Sequence, residues 1–159
     1  MGCGKSSVGR RLSELLCCPF MDLDAVIEEQ TGRSIPEIFA TDGEAAFRQM
    51  EMEVLERVLK QSTAVISLGG GTVTQERCSE MVKENTLCIY LRTSVDTLVE
   101  RLTDEAAGRP LLSSDSDLRS RIETLIAQRS EVYESTAHHI IDTDGLSIDA
   151  VVRLLYEKI

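Results

Sequence analysis

The apolar positions fall into two alternating kinds of run. Spacings of three and four residues mark helices, and short unbroken apolar stretches mark buried strands. Over residues 6–17, Val8, Leu12, Leu15 and Leu16 form a helical stripe with Arg10, Arg11 and Glu14 off it, and Pro19 stops the run. Residues 20–24 read as a short strand ending in two acids, and residues 25–31 as a helix closed by Gly32. Ser34-Ile35-Pro36-Glu37 is a capping box with proline in the first turn, opening a short helix that stops near Gly43. A longer helix is predicted over about 44–61, with Phe47, Met50, Val54, Leu55, Val58 and Leu59 inward. Residues 64–68 form a buried strand that runs into Gly69-Gly70-Gly71. After it come a helix over 75–84, a strand over 87–91 and a helix over 95–102. A polar stretch over 103–117 reads as a mobile loop, and residues 118–134 as a helix with Ile122, Leu125 and Ile126 inward. Residues 139–142 are a last short strand, and a helix over 146–159 carries Ile148, Val151, Val152 and Leu155 on one face.

Four strands thus alternate with helices, and most are continuous apolar runs. That pattern predicts an α/β fold with a parallel sheet covered on both faces. Ligands in such sheets bind at the carboxyl ends of the strands. The acids after Met21 and the glycines after Leu68 both fall at that edge.

Composition narrows the function. The 159 residues suffice for one domain and no more. A net charge of −10 disfavours a nucleic-acid binder and makes individual arginines notable, because an anionic ligand would need them locally. The five cysteines, Cys3, Cys17, Cys18, Cys78 and Cys88, are odd in number, fit no zinc spacing and follow no secretory signal. They read as reduced thiols of a cytoplasmic protein, each behaving as a small buried hydrophobe. No run approaches the roughly 18 apolar residues of a membrane span.

The chemistry begins at the first residues, Met1-Gly2-Cys3-Gly4-Lys5-Ser6-Ser7-Val8-Gly9. Gly4-Lys5-Ser6 matches the end of a phosphate loop, G-x-x-x-x-G-K-[ST]. Backbone N–H groups must converge on phosphate oxygens, which glycine permits, and the following helix adds its dipole. Lys5 would meet the β/γ-phosphates, and Ser6 would offer a hydroxyl to Mg2+. The same residues also match an N-myristoylation signal at Gly2 with Cys3 as a palmitoylation site, which would make a membrane-anchored protein. Asp22 and Asp24, two apart in a strand, would point the same way, one toward a metal and the other toward a substrate hydroxyl. Equally, they could be solvated acids, with Asp24 as the N-cap of the next helix. Gly69-Gly70-Gly71 lets a ligand approach backbone N–H groups, at an entropic cost that a plain turn would avoid. Arg48, Arg109 and Arg129 are the notable cations, although spacing alone makes each an ordinary surface arginine. His138 and His139 read as structural.

Taken in order, these features resemble the shikimate kinase family. The stretches are 2–9; Asp22-Leu23-Asp24; Gly32-Arg33-Ser34-Ile35-Pro36-Glu37-Ile38-Phe39; Gly43-Glu44-Ala45-Ala46-Phe47-Arg48 with Glu51; Ser67-Leu68-Gly69-Gly70-Gly71; Arg109-Pro110-Leu111-Leu112; and Arg129 with Tyr133. The resemblance implies a single domain over 1–159 with the three-layer P-loop fold of the nucleoside-monophosphate-kinase type. It implies transfer of the ATP γ-phosphoryl group to the 3-hydroxyl of shikimate, a step of chorismate and aromatic amino-acid synthesis. It places shikimate binding in about 24–52 and a lid at about 103–117. Position by position, it implies phosphate and nucleotide contacts from Gly2, Cys3, Gly4, Lys5, Ser6, Ser7 and Arg109, with Arg101 stacking on adenine. Ser6 and Asp22 would hold Mg2+. Asp24 would bind the shikimate hydroxyls and act as base, with Lys5 and Arg109 also catalytic. Arg48 and Arg129 would grip the carboxylate, beside backbone contacts from Gly69, Gly70 and Gly71. Partners would be ATP and shikimate only, with no nucleic acid and no membrane, and the protein a monomer.

One departure stands out. The family's sheet has five strands in the order 2-3-1-4-5, and its first strand and the first glycine of the loop would lie before Met1. The chain therefore reads as truncated at the loop, with a hole expected in the sheet. A shikimate-binding remnant without catalysis is the alternative function.

Overall fold

The computed structural model describes residues 2–60, 63–106 and 115–159. Helix α1 (Lys5–Leu15) leads to strand β1 (Phe20–Asp22) and helix α2 (Leu23–Thr31). Helices α3 (Ile35–Thr41) and α4 (Gly43–Leu59) precede β2 (Val65–Ser67) and a single 3-10 turn (Thr72–Thr74). Then come α5 (Glu76–Asn85), β3 (Ile89–Arg92), α6 (Val95–Ala106), α7 (Asp115–Thr136), β4 (His139–Asp142) and α8 (Ile148–Tyr156).

Local chemistry accounts for several boundaries. Gly32 closes α2 with φ 64°, a conformation that costs glycine nothing. At the start of α3 the Ser34 N–H donates to Glu37 Oε2 at 2.7 Å, the expected capping box. Other expectations need correction. Strand β1 ends at Asp22, so Asp24 lies in the first turn of α2 and not beside Asp22 on a strand face. Leu23, with no exposed surface, draws the chain into the helix two residues early, and Asp22, not Asp24, takes the cap position. Leu15 and Ile148 point outward although their spacing put them on apolar stripes. Cys17 is exposed, unlike the buried Cys78. The expected loop over 103–117 is helical at both ends, and its centre, with Arg109, lies outside the described residues.

The sheet comes in two parallel pairs. Phe20, Met21 and Asp22 of β1 face Val65, Ile66 and Ser67 of β2. Ile89 through Arg92 of β3 face His139 through Asp142 of β4. These are the 2-3 and 4-5 adjacencies of the expected order. Between β2 and β3 lies a cavity of about 770 Å³, walled by Val65 and Ile66 on one side and Ile89 and Leu91 on the other, with Val8 and Leu12 of α1 also lining it. Each pair has its own core. Leu23, Ile27, Ile38, Phe47, Val54, Leu55 and Val58 pack beside β1 and β2. Val8, Leu12, Ile141, Val151, Val152 and Leu155 pack between α1, β4 and α8.

Candidate active site

The loop before α1 turns on glycine. Gly4 sits in the left-handed region at φ 80°, which directs the chain into the helix with its first N–H groups forward. Gly2 packs against Leu98 and Leu102 of α6 and its carbonyl accepts from Arg101 Nη1 at 3.3 Å. Gly2 is thereby tied into the fold, and Arg101 lies beside the loop. Lys5 Nζ lies 4.0 Å from Cys3 Sγ. Ser6 Oγ donates to Asp22 Oδ2 at 2.6 Å, so the start of α1 and the end of β1 present two oxygen donors together. Ser7 follows on the same exposed turn.

Gly69, Gly70 and Gly71 are the point on which the other expected residues converge. A Cβ on Gly69 would lie 2.9 Å from Asp24 Oδ1 and 3.0 Å from Glu51 Oε1. One on Gly70 would lie 3.4 Å from both Arg129 Nη1 and Tyr133 Oη. One on Gly71 would collide with the Arg48 guanidinium. At Gly69 the carboxylates of Asp24 and Glu51, and at Gly71 the Arg48 guanidinium, occupy the space of a side chain, whereas at Gly70 a Cβ would only touch Arg129 and Tyr133. Two cations and two carboxylates, drawn from α2, α4 and α7, therefore meet at one strand-end turn.

Glu51 organises this cluster. It is 1% exposed on the inner face of α4. Its carboxylate accepts from Thr72 Oγ1 at 2.5 Å, Arg48 Nη1 at 2.8 Å and Gln75 Nε2 at 3.3 Å. Burial works against the Arg48 charge, but hydrogen bonds and charge from Glu51 and Glu44 outweigh it and raise its pKa above the ordinary guanidinium value. Burial, and then the charges of Asp22 and Glu51, push the Asp24 carboxyl above its ordinary value, with Lys5 pulling the other way. Asp24 thus feels both the phosphate loop and the glycine turn, and a carboxylate with a raised pKa is a better proton acceptor.

The sequence motifs contain Glu51 and Tyr133 but assign them no role. The signal for Glu51 is a charge at the core-facing spacing of Phe47, Val54, Leu55 and Val58. Thr72, with no exposed surface, gives no such signal in a glycine-rich stretch. His138 is structural: its Nδ1 accepts from the Cys88 N–H at 3.0 Å.

Known proteins match the chain along almost its whole length. The family model described as "Shikimate kinase" matches residues 1–159. The shikimate kinase of Rhodococcus jostii is 40% identical over 158 residues, covering 99% of this chain and 92% of its own. That of Salinibacter ruber is 39% identical, covering 98% and 79%. Among solved structures, the shikimate kinase of Acinetobacter baumannii in complex with shikimate superposes with a TM-score of 0.89 at 34% identity, covering 99% of this chain and 87% of that one. The enzyme from Bacteroides thetaiotaomicron gives 0.92 at 32% identity, covering 99% and 93%.

Proposed function

Since this chain belongs to the shikimate kinase family, and with it phosphorylates shikimate at the expense of ATP, we propose the following division of labour among its residues. The 3-hydroxyl oxygen of shikimate attacks the γ-phosphorus of ATP. Its bond to phosphorus forms as the bond to the β–γ bridging oxygen breaks, and ADP leaves. Asp24 accepts the hydroxyl proton, and its raised pKa suits that task. Lys5 and the N–H groups of the loop from Gly2 to Ser7 hold the phosphates, with Arg101 at the nucleotide and Arg109 as a further cation for the phosphates. Arg48 and Arg129 pair with the shikimate carboxylate, a planar anion that two guanidiniums can bracket directionally. Gly69, Gly70 and Gly71 add backbone contacts.

Ser6 Oγ and Asp22 Oδ2, 2.6 Å apart, are hard oxygen donors of the kind Mg2+ takes, so the pair fits that ion. Bound there, it would neutralise phosphate charge. Asp24 takes no part in that hydrogen bond and is left for the hydroxyl. The enzyme acts as a cytoplasmic monomer on small molecules, with no nucleic acid or membrane as partner. In support, the chain carries a net charge of −10, and no helix among the described residues is long and apolar enough to cross a membrane.

The observation that carries this reading is the convergence of Asp24, Arg48 and Arg129 on three consecutive glycines. It favours turnover over a binding remnant, because the proton acceptor and the phosphate lysine are both present and electrostatically coupled. The test is ADP release with ATP, Mg2+ and shikimate. Turnover with shikimate but not with gluconate or nucleoside monophosphates is expected. A folded chain that binds shikimate without turnover would overturn the catalytic assignment.

A further inference from the structure

Helix α7 reaches the glycine turn with two side chains, and only one of them is needed to hold an anion. Arg129 and Tyr133 are four residues apart, hence on one face of the helix. Arg129 Nη1 donates to the Gly70 carbonyl at 3.1 Å, and Tyr133 Oη donates to the same oxygen. A carbonyl oxygen has two lone pairs, so the pair of donors saturates it. We infer that Tyr133 is a positioning residue for the carboxylate end of the substrate, holding the Gly70–Gly71 peptide in orientation when Arg129 turns to the anion. This inference rests on the reading of Arg129 given above.

The argument is about a peptide plane. No cis bond occurs among the described residues, so the Gly71 N–H points opposite to the Gly70 carbonyl. The carbonyl faces α7, and the N–H therefore faces away from it. Among the described residues that N–H has no protein acceptor. Gly71 itself lies against the Arg48 guanidinium. The amide and the arginine are then close enough to serve one anion. A peptide flanked by two glycines has little steric resistance to rotation. Its orientation must come from hydrogen bonds to the carbonyl, and one of the two donors is the arginine that the substrate competes for. Tyr133 has no competing duty. Its ring packs on Tyr90 of β3, centroids 5.2 Å apart and tilted by 52°, which fixes the hydroxyl before the ligand arrives.

The test is Tyr133→Phe, which keeps the ring against Tyr90 and removes only the donor. Loss of one such hydrogen bond should raise the KM for shikimate by about 5- to 10-fold. The KM for ATP, kcat and the thermal midpoint should stay close to those of the unsubstituted chain. A merely structural role would instead lower the midpoint and move both KM values together, which overturns the inference. So does a shikimate KM that matches the parent. Calorimetric titration with shikimate reads the same difference without turnover. A second reading needs no substitution: the Gly71 amide resonance should shift on addition of shikimate alone, and an unmoved resonance counts against the pinned peptide. If the unsubstituted chain neither binds shikimate nor releases ADP with it, the functional reading falls. If it does both while Tyr133→Phe behaves identically, only this inference falls.

Discussion

The half of the molecule built on β1 and β2 buries charge, whereas the half built on β3 and β4 keeps charge outside. In the first, Glu51 at 1% exposure lies in the same core as Leu55 and Ile38. In the second, the strand-borne pair of Arg92 and Asp142, joined at 2.5 Å, has side chains 46% and 66% exposed, and the buried polar contact is the neutral Thr93–Thr143 hydroxyl pair at 2.7 Å. Buried ions are costly to desolvate and are tolerated where their partners are complete. The first half carries that cost because it must orient cations toward a small anion. The second half buries no charge on its strands and serves the site only by holding Tyr133 through Tyr90 of β3. Helix α1 joins them: its apolar face belongs to the second core, and its N-terminus delivers Lys5 and Ser6 to the site.

Substitutions should separate the two halves sharply. Asp24→Asn keeps size and removes the proton acceptor, and kcat should fall by about 10²- to 10⁴-fold in a coupled ADP assay. The unsubstituted enzyme should lose kcat/KM as pH drops through the Asp24 pKa. Because that pKa is raised, the acid limb should lie above the ordinary carboxylate value, and a limb at that value would argue against Asp24 as the base. Glu51→Ala leaves the partly buried Arg48 with only the exposed Glu44 and removes the acceptor of Thr72 and Gln75, and should cost about 2–3 kcal/mol in urea unfolding. Arg129→Ala should weaken shikimate binding by about 10- to 100-fold in a titration, through loss of charge-assisted hydrogen bonds, while ATP affinity stays level. The smallest effect is expected in the second half, where Arg92→Ala should leave the thermal midpoint nearly unchanged, since exposed pairs add little. A large loss at Arg92 would dissolve the contrast.

Much of this was legible from residue order. The alternation of runs predicted the α/β layers, the capping box at Ser34 fixed one helix start, and the ordered motifs led to Asp24, Arg48, Arg129 and the glycines. What escaped is non-local. Whether Asp24 continues a strand or opens a helix depends on the burial of Leu23, which is a packing event and not a spacing. Leu15 and Ile148 have helical spacing but, among the described residues, no element opposite to cover them. The duties of Glu51 and Tyr133 depend on partners 21 and 63 residues away, Thr72 and Gly70. No local pattern encodes such pairings.

The cavity between β2 and β3 also has a consequence in time. Each of these strands has a ladder partner on one side only among the described residues. Successive amides along a strand point to alternate sides, so every second N–H of β2 is bonded to β1 and the others face the gap. Deuterium uptake followed residue by residue should therefore alternate along Val65–Ser67 and Ile89–Arg92, slow where the amide meets a neighbouring strand and fast where it meets the cavity. The inner strands of this sheet should exchange like edges, and the slowest amides should lie in the helices that flank them.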